Sequence, residues 1–291
     1  MIVSNVPSVK LVMQLDADLP DVGVSAERRE RSGERGARRA KRTEQSEEHR
    51  ERSAERGVEL KDGIRLEGIT FSYPDGARLF DGFSAEIRAH NITGILGQSG
   101  RGKTTLIDLI AGLQKPAAGR ILVDGVLLDE KLLPRWKAGL GYLPQDPFFI
   151  DGTLRENLVW DSTPGAGGGG LPGKTGGGSE AGGGIGDEEI MAVLEQVNAA
   201  HLVKRFRKGL DAFVVNYQTA FSGGECQRLA LARVLLRKPS VLLLDEATSS
   251  LDAENEATVM EVLAKLKERV TIVFVTHRES VTRWFDEVIK I

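Results

Sequence analysis

Residues 91–113 read NITGIL-GQSGRG-KTTLIDLIAGL, and this stretch decides the fold. Asn91 to Leu96 is an apolar strand and GQSGRG a glycine-rich turn. In KTTLIDLIAGL the residues Leu106, Ile107, Leu109, Ile110 and Leu113 recur at the spacing of a buried helix. The pattern G-x-x-x-x-G-K-[ST] at Gly97–Thr104 therefore lies between a strand and a helix. In that setting inward-pointing amides and the positive helix end together favour a phosphate. Gly97, Gln98, Ser99, Gly100, Arg101, Gly102, Lys103, Thr104 and Thr105 are the candidate nucleotide-binding residues. Lys103 is expected to contact the β- and γ-phosphates, and the Thr104 hydroxyl to ligate Mg²⁺. The same pattern recurs at Gly168–Thr175 (GGGLPGKT), but inside polyglycine, with no strand before it and no helix after it. That second match is read as chance.

A metal-dependent phosphate site needs carboxylates on a neighbouring strand end. VLLLDE (241–246) supplies them, four apolar residues ending in Asp245 and Glu246. Asp245 would hold the water shell of the metal, and Glu246, one residue further, would polarise the attacking water. Outward from these two segments, strands alternate with helices. The run 60–88 reads as short strands around a turn at Pro74–Gly76, and Ile121–Val126 as another strand. Helical patterns cover Asp187–Phe206, Glu225–Arg237 and Ala253–Glu268. Val241–Leu244, Val270–Val275 and Glu287–Ile291 read as strands. This order implies a mainly parallel sheet covered on both faces.

The 291-residue chain carries 39 Lys+Arg against 42 Asp+Glu, a net charge of −3. Such a balance gives no general reason for a nucleic-acid partner, which is not expected. Two stretches stand apart. Glu27–Arg56 has eleven basic and eight acidic residues with no Val, Ile, Leu, Met or aromatic residue, and Gly165–Gly186 has thirteen glycines in twenty-two positions. Neither can bury enough apolar surface to offset its ordering entropy. The expected organisation is a lead at 1–20, a charged low-complexity linker at 21–57 and one folded domain at 58–291, with a Gly-rich flexible insertion at 164–186. No apolar run reaches the roughly 18–20 residues that span a bilayer. The opening lacks the basic and apolar regions of a signal peptide, and the single Cys226 fits a reducing compartment.

Further motifs carry a resemblance to the ATP-binding cassette (ABC) ATPases, in the order that family uses. FSGGECQR (Phe221–Arg228) resembles the signature motif, Gln145 in GYLPQD the Q-loop, SSLD (Ser249–Asp252) the D-loop, and His277 in FVTHR the switch histidine. Tyr73 in FSYPDG resembles the aromatic that stacks on adenine. FFIDGTLRENL (148–158) is similar to the exporter-type nucleotide-binding domain, and the lead NVPSVKLVMQLDADLP to the connector leaving a membrane domain. The resemblance implies an α/β, P-loop NTPase core with a mainly parallel sheet, an N-terminal antiparallel β subdomain and an α-helical subdomain carrying the signature.

It also implies ATP hydrolysis with Mg²⁺, powering transmembrane transport in the export direction. Two such domains would pair head to tail, as a homodimer or heterodimer. Each ATP would then lie between one chain's phosphate loop and the partner's Ser222, Gly223 and Gly224. Glu246, His277, Gln145 and Lys103 would be the catalytic residues, with Thr104, Gln145 and Asp245 at the metal and Asp252 linking the two sites. The transmembrane domain would belong to the same gene product or to a separate chain, which would hold this domain at the cytoplasmic face of a membrane. The alternatives are a soluble ABC-type ATPase of DNA maintenance or translation, and a regulatory cassette.

Three features depart from the family pattern. Phe221 stands for the usual Leu and Glu225 for Gln, so a carboxylate is expected to repel the partner's triphosphate, and Glu225→Gln to raise activity. Asn216-Tyr217-Gln218 replaces the acidic-basic-glycine segment that touches the membrane domain in exporters. The third departure is the Gly-rich insertion.

Overall fold

Strands β3 (Ile92–Leu96), β6 (Leu140–Leu143), β9 (Val241–Asp245), β10 (Thr271–Thr276) and β11 (Glu287–Lys290) form one sheet in the order β11-β3-β10-β9-β6. Every neighbouring pair in it is parallel. The computed structural model describes residues 57–159 and 185–291, apart from 75 and 77. The lead at 1–20, the linker at 21–56, the insertion at 164–184 and the second glycine motif lie outside the described residues.

β9 and β10 are buried along their whole length, which is why each carries an unbroken apolar run, VLLL and IVFV. Alternation divides their side chains between two cores. Leu242, Leu244, Ile272 and Phe274 join the core shared with the helical subdomain. Val241, Leu243, Val273 and Val275 join the core shared with α1 (Lys103–Ile110) and the antiparallel sheet. The helix expected after the glycine turn is thus present. Its Leu106, Ile107, Leu109 and Ile110 are fully buried, and the indole of Trp136 donates to the Ile110 carbonyl at 2.8 Å.

The second sheet runs β2 (Arg78–Arg88), β1 (Gly63–Ser72), β4 (Ala118–Val123), β5 (Val126–Leu127), antiparallel throughout. Where the sequence suggests short strands, β1 and β2 are ten and eleven residues long, bent by register shifts between Leu66 and Ser72. The strand expected to reach Val126 stops at Val123, because Asp124 and Gly125 turn the chain at φ 49° and 75°.

The helical elements are α2 (Leu133–Ala138), α3 (Leu154–Leu158), α4 (Asp187–Gln196), α5 (Ala200–Lys204), α6 (Tyr217–Ala220), α7 (Gly223–Leu236) and α8 (Ala253–Leu266), with the short pair β7 (Gly152–Thr153) and β8 (Phe213–Val214) among them. The single helical pattern of 187–206 is two helices, because the chain turns at Asn198 with φ 53°. α7 begins two residues before the expected Glu225. Ser222 caps it by accepting from the Glu225 amide while the Glu225 carboxylate accepts from the Ser222 amide, so Gly223 and Gly224 form its first turn.

Candidate functional site

Parallel register aligns the strand ends: Leu96 lies opposite Thr276, and Asp245 opposite Val275. The turn after β3, Glu246 after β9 and His277 after β10 therefore leave the carboxyl edge of the sheet together, the place where open α/β sheets build ligand sites.

The turn is shaped by Gly100 and Gly102, at φ 79° and 94°, values that side chains with a Cβ seldom adopt. No atom lies within 4 Å of where a Cβ on Gly100 would stand, so that side of the loop is open. Lys103 is buried, and its ammonium donates to the carbonyls of Gly97 and Gln98, both at 3.0 Å. Two neutral carbonyls hold this charge over the loop, and a phosphate oxygen is the stronger acceptor. The Thr104 hydroxyl donates to Asp245 Oδ2 at 2.7 Å. Asp245 is almost wholly buried, and burial raises its pKa above the ordinary carboxylate range, with the Thr104 hydrogen bond opposing the rise and the nearby Glu246 and Asp108 adding to it. A hydroxyl and a carboxylate beside an anion-binding turn form the hard-oxygen set that Mg²⁺ accepts together with phosphate oxygens, so these residues fit a magnesium-bound triphosphate.

Tyr73 reaches the same end of α1. Its hydroxyl shares a hydrogen bond of 2.9 Å with Thr105 Oγ1, its ring meets Phe71 edge-on at 5.2 Å, and 36% of the residue is exposed. Glu246 takes φ 50°, a left-handed value that costs of order 1 kcal/mol for a residue with a side chain. This turn directs its carboxylate to His277, whose Nδ1 lies 3.2 Å from Glu246 Oε1. Thr104, Asp245, Glu246 and His277 are thus brought together as the sequence suggests. Gln145 follows β6 at the same edge, but it lines a cleft of about 190 Å³ with Phe221, Gly223, Gln227 and Ser250. Its neighbours there come from α6, Phe221, the first turns of α7 and Ser250, not from the Thr104–Asp245 pair.

The signature residues make their contacts elsewhere. Gly224 is a close approach: a Cβ there would stand 2.9 Å from the Ser250 carbonyl. Phe221 is buried, 5.5 Å from the ring of Tyr217 and 5.9 Å from that of Phe206, so the departure from Leu fills an aromatic cluster. Tyr217 stacks on Phe149 at 4.8 Å, and burial lifts its phenol to about 12. Of the three residues that replace the acidic-basic-glycine segment, Tyr217 is therefore a core residue, while Asn216 and Gln218 are exposed. The expected repulsion from Glu225 is altered by a partner. Its carboxylate pairs with Arg205 as well as accepting from the Ser222 amide, and these bonds outweigh burial and hold its pKa below the usual range. Asp252 caps α8, accepting from the Asn255 amide at 2.8 Å and from the Asn255 side chain. Cys226 is a small buried residue whose thiol pKa burial raises.

Sequence reasoning missed four polar side chains that tie these parts together. The amide of Gln227 donates to Ser249 Oγ at 3.1 Å, and its oxygen accepts from the Ser250 amide at 3.2 Å. Arg233 lies over the Phe149 ring at 4.4 Å and donates to the Phe148 carbonyl at 2.6 Å, with burial pulling its pKa down to about 10. Arg278 and Glu256 pair at 2.7 Å beside the segment 248–252. Two of the four had a signal, Gln227 by its place inside FSGGECQR and Arg278 by its place directly after His277.

The sequence profile of the family described as "ABC transporter" matches residues 80–249. The chain is 38% identical over 231 residues to the mycobactin import ATP-binding/permease protein IrtB of Mycolicibacterium thermoresistibile, covering 78% of this chain and 35% of that protein. It is 34% identical over 227 residues to ABC transporter B family member 21 of Arabidopsis thaliana, covering 77% and 16%. Against the mitochondrial potassium channel ATP-binding subunit of Mus musculus it is 33% identical over 229 residues, covering 77% and 29%. Among solved structures it is similar to a bacterial Atm1-family ABC exporter with ATP bound, at a TM-score of 0.69 and 27% identity, covering 81% of this chain and 38% of that one. The chain spans about a sixth to a third of the length of these curated relatives.

Proposed function

This chain belongs to the ABC transporter family, and on that premise we propose that it binds ATP with Mg²⁺ at residues 97–105 and hydrolyses it to ADP and phosphate when paired head to tail with a second such domain. The reading rests above all on one observation. Thr104 meets Asp245 at 2.7 Å, and Glu246 meets His277 at 3.2 Å, at the edge of the sheet where the glycine turn opens.

Lys103 leaves the loop carbonyls for the β- and γ-phosphate oxygens, and the amides of the turn hold the same groups. Mg²⁺, when bound, would supply positive charge that neutralises the charge developing on the phosphates. Thr104 and Asp245 would hold the metal, and Gln145 would add to its ligand set or to the water. Glu246 orients and polarises the water that attacks the γ-phosphorus, and His277, hydrogen-bonded to Glu246, faces the γ-phosphate. Tyr73 lies against the adenine. The amides at Ser222, Gly223 and Gly224, at the positive end of α7, face the triphosphate held by the partner's loop. Asp252 lies where the two chains meet.

We place the work of this cycle in transport, through a transmembrane domain on the same gene product or a separate chain at the cytoplasmic face of a membrane. Two things support such a partner: the exporter-type segment 148–158, and the large apolar side chains exposed in and beside β7 and β8 (Phe148 at 72%, Phe213 at 64% and Val215 at 62%). No helix among the described residues is long and apolar enough to cross a membrane itself. We propose export as the direction. Since one relative carries the name of an import protein, direction is to be measured with the membrane partner in vesicles. The chain itself is tested by calorimetry. Titration of Mg²⁺-ATP into the purified chain is expected to give saturable uptake that Lys103→Ala abolishes, and absence of uptake by the unaltered chain would defeat the reading.

A further inference from the structure

Arg278 stands next to His277, yet its guanidinium is spent on another segment. Nη1 donates to the carbonyls of Thr248 at 3.1 Å and Leu251 at 3.3 Å, and to Glu256 Oε1 at 2.7 Å, while Nη2 donates to the Ser249 carbonyl at 3.2 Å. Glu256, on α8, is 7% exposed, and its second oxygen accepts from Ser280 Oγ at 2.7 Å. Three carbonyls of one short loop therefore converge on one planar cation, which a buried carboxylate holds in place from behind. Only the five-donor fork of arginine can make this set of bonds, since a lysine ammonium offers three donors from a single point. The loop that is gripped begins two residues after Glu246 and ends at Asp252. Its opposite side is tied to α7 through Gln227.

We infer that Arg278, oriented by Glu256, is a positioning residue that locks His277 and the segment 248–252 into one rigid unit, so that a partner chain docking at Asp252 and a γ-phosphate meeting His277 are felt by the same piece of structure. This inference rests on the head-to-tail reading above. The guanidinium bonds to loop carbonyls and to Glu256. It acts through the loop, and a loop displaced by an ångström at a reacting centre lowers turnover without weakening the binding of nucleotide at the opposite side of the site.

The test compares the unaltered chain with Arg278→Gln, Arg278→Lys and Glu256→Gln under Mg²⁺-ATP, at chain concentrations where turnover per chain has levelled off. Each variant is expected to lose kcat by about 10- to 100-fold, with the dissociation constant for ATP within twofold of the unaltered value. Hydrogen exchange at the amides of 248–252 is expected to accelerate. Glu256→Gln keeps the size of the side chain and its bond to Ser280, so it carries the test if Arg278→Gln does not fold. A kcat within twofold of the unaltered chain, unchanged exchange at 248–252, or a loss of ATP affinity equal to the loss of kcat would each overturn the positioning role. If the unaltered chain hydrolyses no ATP at any concentration, the head-to-tail reading falls and this inference with it. Normal hydrolysis in both the chain and its variants removes the inference alone.

Discussion

Asp245 and Glu246 are adjacent in sequence and opposite in circumstance. Asp245 ends a fully buried strand and is itself 3% exposed, whereas Glu246 takes a left-handed turn that sends its carboxylate to His277. Burial raises the pKa of Asp245, so the native chain holds a proton there at pH values where the unfolded chain has lost it. Stability contributed at this position accordingly falls as pH rises from the ordinary carboxylate value through the raised one, and at pH 7 the ionised group is a cost. Asp245→Asn is expected to raise the melting temperature of the nucleotide-free chain at pH 7, with the advantage shrinking toward acid, and to abolish magnesium-dependent nucleotide binding. Thermal melts across pH, with and without Mg²⁺-ATP, check both halves. Glu246→Gln leaves the loop intact and removes the proposed base. It is expected to lower turnover by roughly 10²–10⁴ with ATP affinity retained, the range for losing a general base.

At the scale of elements, α7 carries the instructive case. FSGGE reads as a glycine pair preceding a helix, but the Ser222–Glu225 capping box starts the helix at Gly223 and aims two glycine amides along its axis. The same Glu225 is paired with Arg205, just past the end of α5 and twenty residues away in sequence. The pairing changes what Glu225→Gln does. Alone, that substitution removes a charge already countered and leaves Arg205 without its partner. In an Arg205→Ala background it removes a bare charge that the head-to-tail reading places beside the partner's triphosphate. Arg205→Ala is therefore expected to lower turnover, and Glu225→Gln to restore it roughly two- to tenfold in that background only, the size of coupling typical of contacting residues. A double-mutant cycle on kcat checks this. Equal effects of Glu225→Gln in both backgrounds would contradict it.

For the molecule as a whole, the phosphate loop lies at the edge of the parallel sheet, while Ser222, Gly223 and Gly224 open a helix whose close neighbour is Ser250. In the proposed head-to-tail pair, two copies related by a twofold axis would supply both halves twice. Chains carrying Lys103→Ala and chains carrying Gly223→Asp are each expected to be inactive alone, and a mixture of the two to regain turnover, since one sound loop and one sound signature then meet. Turnover measured on mixtures of varied ratio checks this, and a mixture as silent as its components would count against a shared site.

Much of this was legible because the signals are local. A buried parallel strand needs an unbroken apolar run, a phosphate turn needs glycines next to Lys and Thr, and neither requirement refers to distant residues. Hence β3, β9, β10, α1 and the group Lys103, Thr104, Asp245, Glu246 could be read from order and composition. The boundaries of β4 and of the split helix 187–206 escaped because single left-handed residues, Asp124 and Asn198, set them. α2, α3, α5 and α6, of four to six residues, are too short to show a period. By itself the sequence determined the sheet, the turn and which residues stand at its mouth. Only the tertiary structure decided which charges meet: Arg205 with Glu225, Arg278 with Glu256 and three loop carbonyls, and Gln145 facing α7. Those partners lie twenty or more residues apart, and their pairing depends on where packed elements come to rest, which the identity of neighbouring residues in the chain does not encode.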